Sequence, residues 1–95
     1  MNFEELKNAN KNKINQIKLE LKDNNQDLNL KKRLILQTKI DRLLNDDDAL
    51  FFNITIEEAY KILEQILDDK DLIKDTYTNL TSPHEYERLR REFKI

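Results

Sequence analysis

Thr55-Ile56-Glu57-Glu58-Ala59-Tyr60-Lys61-Ile62-Leu63-Glu64-Gln65-Ile66-Leu67 is the stretch that decides the fold. Thr55 is a capping residue with a glutamate three places on. Its hydroxyl can accept from the Glu58 amide while the Glu58 carboxylate reaches back. Behind this start, Ile56, Ala59, Tyr60, Leu63, Ile66 and Leu67 recur at three- and four-residue steps, which is one apolar face of an α-helix. The spacing predicts a helix over about 56–68.

The composition points the same way. Glycine is absent from all 95 residues, and Pro83 is the one proline. Tight β-hairpins and phosphate-cradling loops draw on glycine for backbone with φ > 0. Its absence argues against β-hairpin folds, dinucleotide-binding loops and P-loops, and leaves helices joined by Asn- and Asp-rich turns. Fifteen Leu and ten Ile suffice for a compact core, and 38% charged residues is usual for a helical bundle.

Upstream, Asn2 and Glu5 form a second capping pattern, followed by Phe3, Leu6, Ile14, Ile17 and Leu21 at helical spacing, with Asn10 or Lys13 in the gap. Asn8-Ala9-Asn10-Lys11-Asn12 is a weak middle expected to fray, because asparagine is a poor interior helix former. Asp23-Asn24-Asn25-Gln26-Asp27 is a turn of residues that bond their own backbone. In the next helix Leu36, Ile40, Leu43 and Leu44 make the main stripe, and Leu30, Leu34 and Ile35 lie on other faces. Asp46-Asp47-Asp48 breaks the pattern, and Ala49-Leu50-Phe51-Phe52-Asn53-Ile54 is a short apolar connector, read as a helical turn or a strap.

Downstream, Asp68-Asp69-Lys70-Asp71 breaks the pattern, yet Ile73, Tyr77 and Leu80 continue in phase, so residues 56–80 are read as one helix or two. Ser82-Pro83-His84-Glu85 starts the last helix. The expected fold is all-α, one domain over residues 1–95: a small bundle of four to five helices at about 3–22, 28–45, 56–68, 71–79 and 83–93. An N-terminal antiparallel helical hairpin precedes the shorter C-terminal helices.

Catalytic and metal chemistry find little material. There is no cysteine, and His84 is the one histidine, with no second ligand at HExxH spacing. The aspartate runs lack the alternation, glycine and terminal glutamate of a calcium loop. The expectation is no enzyme, no cofactor and no metal. With no signal-like start and no apolar run near ~20 residues, the expected setting is cytoplasmic, with no membrane. Heavy use of Asn, Ile and Lys against three Ala fits AT-rich coding, as in a phage or other mobile element.

Charge is segregated along the chain. Residues 1–40 carry a net of +4, residues 41–75 a net of −7, and residues 76–95 a net of +1. The acidic candidates for contact with a partner are Asp46, Asp47, Asp48, Glu57, Glu58, Glu64 and Asp68, with Phe51 and Phe52 as candidate aromatic anchors. The competing basic surface comprises Lys31, Lys32, Arg33, Arg88, Arg90 and Arg91. The leading expectation is a non-catalytic protein-interaction module of inhibitor, antitoxin or immunity type. Its acidic helical face would occupy another protein, such as a nucleic-acid-binding enzyme. A nucleic-acid regulator using the basic helices is the weaker reading, since the pI is 5.4. A homodimer sealed through Leu30, Leu34 and Ile35 is the third.

Overall fold

The computed structural model describes residues 1–46 and 50–93, the side chains of Glu85, Tyr86, Leu89, Glu92 and Phe93 excepted. The chain is all-α. Helix α1 spans Phe3–Asp23 and α2 spans Leu28–Asp46; a single turn, α3, covers Leu50–Asn53; α4 (Ile56–Glu64), α5 (Lys70–Leu80) and α6 (Pro83–Phe93) follow. Helices α1 and α2 pack as a hairpin, α4 lies against α5, and α5 touches α6.

The caps explain where the helices begin. Asn2 Oδ1 accepts from the Glu5 amide at 2.8 Å. Asp27 Oδ1 accepts from the amides of Asn29 and Leu30, at 2.9 and 3.2 Å, and so converts the Asn-rich turn into the start of α2. At α4, the Glu58 amide donates to Thr55 Oγ1 at 3.2 Å, and that hydroxyl donates to Glu58 Oε1 at 3.1 Å. Residues 56–80 form two helices. The first is shorter than its apolar stripe, ending at Glu64 and not near residue 68, because Asp69 caps a new helix. Its carboxylate accepts from the Asp71 and Leu72 amides at 2.8 and 3.3 Å.

The core gathers at the open end of the hairpin. Phe3 and Leu6 from the start of α1 meet Ile40 and Leu44 from the end of α2. Leu50 and Phe51 of α3, Ala59 and Leu63 of α4, Ile66 and Leu67 of the connector, and Ile73 and Leu80 of α5 close over them. Burying each large side chain contributes about 1.5–3 kcal/mol. Phe3 and Phe51 meet edge to face with centroids 6.5 Å apart, and Tyr60 and Tyr77 do so at 5.2 Å. The closed end of the hairpin carries the exposed Leu19 and Leu28.

Two expectations for the hairpin are corrected. The asparagine-rich middle of α1 is helical throughout: α1 is continuous, and Asn10 is fully buried. Asn10 Nδ2 donates to the Gln37 carbonyl at 3.1 Å, while Gln37 Nε2 donates to Asn10 Oδ1 at 2.8 Å and to the Gln65 carbonyl at 3.0 Å. These bonds lock α1, α2 and the end of α4 together. In α2 the inward face is Gln37, Ile40 and Leu44, and the expected core residues Leu36 and Leu43 are 40% and 44% exposed. Gln37 takes the centre of that face, and Leu36, about 100° round the helix from it, is turned out.

Thr76 is also fully buried, and its hydroxyl has no hydrogen-bond partner. That arrangement costs stability, since a buried polar group is worth making only when bonded.

The amide cluster makes a sharp prediction for urea unfolding. Gln37→Ala should lose about 2–4 kcal/mol, because it empties a buried site and orphans Asn10. Combining Asn10→Leu with Gln37→Leu should cost less than the sum of the two single changes, since no side-chain amide is then left without its partner. A strictly additive double variant would show that the two amides do not act as a unit.

Candidate interaction surfaces

Of the residues singled out for their acidity, Glu57, Glu58 and Glu64 lie on α4, and the structure divides the set. Glu57 and Glu64, seven residues apart, line a shallow depression of ≈ 540 Å³ together with Ile56, Tyr60 and Lys61. Ile56 is 63% exposed although it belongs to the apolar stripe, because it sits in the first turn at the edge of the buried face. Glu58 is engaged in the Thr55 cap. Asp68 lies elsewhere, 3.4 Å from Lys13 of α1, on a second depression of ≈ 260 Å³ shared with Gln16, Ile17, Glu20 and Arg33. Asp46 is exposed at the end of α2, and Asp47 and Asp48 lie outside the described residues.

The aromatic candidates belong to the interior. Phe51 is a core residue against Phe3, which corrects its reading as a partner anchor. Phe52 is half-buried and packed on the same core. A helical turn at α3 points both rings toward the bundle, where an extended strap would have sent them to opposite sides.

The basic candidates are dispersed. Lys31, Lys32 and Arg33 are all exposed, but three successive helical positions fan over about 200° and present no single face. Arg33 borders the depression that holds Asp68. In α6, Arg90 lies 3.9 Å from Glu87, Arg91 is exposed and Arg88 is half-buried. His84 is exposed in the first turn of α6.

The surface that sequence reasoning misassigned is the outer side of α2. Leu28, Ile35, Leu36 and Leu43 are 68%, 58%, 40% and 44% exposed. They recur at seven- and eight-residue steps, and the exposed Lys32 and Lys39 stand among them. Of the residues offered as a dimer seal, Ile35 alone is exposed; Leu30 and Leu34 are half-buried in the hairpin. The signal was present as a second heptad-like series, Leu28 to Ile35 and Leu36 to Leu43. It was hidden by the assumption that leucines, and not Gln37, fill the centre of the inward face.

Among the described residues no helix is long and apolar enough to cross a membrane, and no group of three His, Asp or Glu side chains is placed to hold a metal ion. Comparison with protein-family models, with curated proteins and with solved structures gave no match.

The division of the acidic residues is checkable by urea titration. Thr55→Ala should cost about 1 kcal/mol through loss of the cap. Asp68→Asn should leave the midpoint unchanged, because the Asp68 carboxylate is 95% exposed and water screens it from the half-buried Lys13. A large loss on Asp68→Asn would make that ion pair a structural tie between α1 and the chain leading to α5.

Proposed function

We propose that the chain is a non-catalytic protein-binding module that occupies a basic surface of another protein through the outer face of α4. It would serve as a small accessory protein of inhibitor, antitoxin or immunity type. The observation that carries this reading is Ile56: a large aliphatic left 63% exposed beside the depression that Glu57 and Glu64 line. Neither glutamate is spent on the cap, which Glu58 supplies. An apolar centre with an outward charged rim is the pattern of a binding patch, in which the apolar contact supplies residence and the charges steer encounter. Tyr60, packed on Tyr77, gives the patch a rigid floor.

The reading is tested by affinity capture from the source cell with three proteins: the unaltered chain, Glu57→Lys with Glu64→Lys, and a control with Glu4→Lys and Glu5→Lys on α1. One partner should be held by the unaltered chain and by the control, and lost by at least tenfold on the α4 change. Its association rate should fall as salt is raised. Equal capture by all three would remove α4 as the contact surface.

A further inference from the structure

The outer side of α2 and the outer side of α4 are opposites. Along α2 run Leu28, Ile35, Leu36 and Leu43, all exposed, with Lys32 and Lys39 between them and Arg42 at the margin. Across α4 lie the exposed Ile56 and the outward Glu57 and Glu64. One is apolar and basic, the other apolar and acidic. The spacing also agrees. Lys32 to Lys39 and Glu57 to Glu64 are both seven residues, about 10.5 Å along a helix axis, so two such helices laid side by side would bring both lysines opposite both carboxylates at once.

We propose that the outer face of α2 docks the outer face of α4 from a second copy of this chain. Charge selects this occupant over the simpler pairing of α2 with α2. A two-fold axis through Ile35 and Leu36 would set Lys32 of one copy opposite Lys39 of the other, and like charges in apposition are repelled. The α4 face instead supplies a carboxylate for each lysine and Ile56 for the exposed aliphatic row. Lys61, at the rim of the α4 depression, lies to one side of the line through Glu57 and Glu64, about 40° round the helix from Glu57. Because the two faces belong to different helices, each copy offers one donor face and one acceptor face. The contact is therefore heterologous unless two of them close reciprocally about a dyad.

This inference uses the shape and charge of α4 and does not depend on any other partner. It adds a consequence for the reading above: copies joined this way cover the face that a foreign partner would need, so self-association and capture compete.

The test is sedimentation equilibrium from about 10 µM to about 1 mM, with circular dichroism confirming that every variant is folded. The unaltered chain should rise in weight-average mass from its 11.5 kDa, levelling at twice that if the contact closes and climbing further if it runs head to tail. Lys32→Glu with Lys39→Glu should stay monomeric, and so should Glu57→Lys with Glu64→Lys. Mixing these two double variants should restore association, because each reversed face then meets a reversed partner face. A monomeric unaltered chain at about 1 mM, association that survives either reversal, or a mixture that stays monomeric would each overturn the proposal. The α2 double variant leaves α4 intact, so its capture of a foreign partner reports on the proposed function alone.

Discussion

Three polar residues, Asn10, Gln37 and Gln65, meet where α1, α2 and the end of α4 converge, and the other packing is arranged around them. Two amphipathic helices in a hairpin can slide by a turn with little change in buried area. A pair of side-chain amides cannot, because each would be left in an apolar setting without its partner. Asn10 and Gln37 satisfy one another in one register, and Gln37 spends its second hydrogen on the Gln65 carbonyl. That carbonyl belongs to the residue following α4, so the same contact fixes the end of α4 against the hairpin. The outward position of Ile56, Glu57 and Glu64 follows from where α4 is anchored.

The amide pair has a second consequence, on the far side of α2. A helix has room for about three or four residues per two turns on its inward face. Gln37 takes one of those places, flanked by Ile40 and Leu44, and the aliphatics at Leu28, Ile35, Leu36 and Leu43 are left outside. Polar residues inside and apolar residues outside are two results of one choice of register. The apolar row on the surface is thus built into the geometry that orders the core, and it leaves a folded chain with a face suited to association.

Much of this was legible from residue spacing. The caps at Asn2 and Thr55 are local chemistry, and the turn at residues 23–27 and the last helix were placed by the same short-range signals, while the cap that Asp27 gives α2 emerged from the structure. The division of residues 56–80 was less legible. The apolar phase runs through the break, and only the capping bonds of Asp69 decide it. The face of α2 was illegible for a different reason. Hydropathy ranks Leu36 and Leu43 above Gln37 for burial, and nothing along α2 itself reveals that Asn10 waits across the hairpin. Long-range polar pairing is invisible to a periodicity argument, and the same blindness misplaced Ile56. Its residue type belongs to the stripe, but its position in the first turn of α4 puts it past the edge of what the hairpin covers.

The uneven charge of the chain acquires meaning once the helices are placed. A basic first part and an acidic middle would cancel if they met face to face; among the described residues they touch at Lys13 and Asp68, where the carboxylate is open to solvent. Lys32 and Lys39 face outward from α2, and Glu57 and Glu64 face outward from α4. Charge separated in this way does little for stability, since exposed charges are screened within about 8–10 Å at ordinary salt. Its physical effect lies between molecules, where each surface attracts the opposite sign and orients the approach. When apolar residues stand beside those charges, as Ile35 and Leu36 do on α2 and Ile56 does on α4, the encounter that charge directs has a contact to end in.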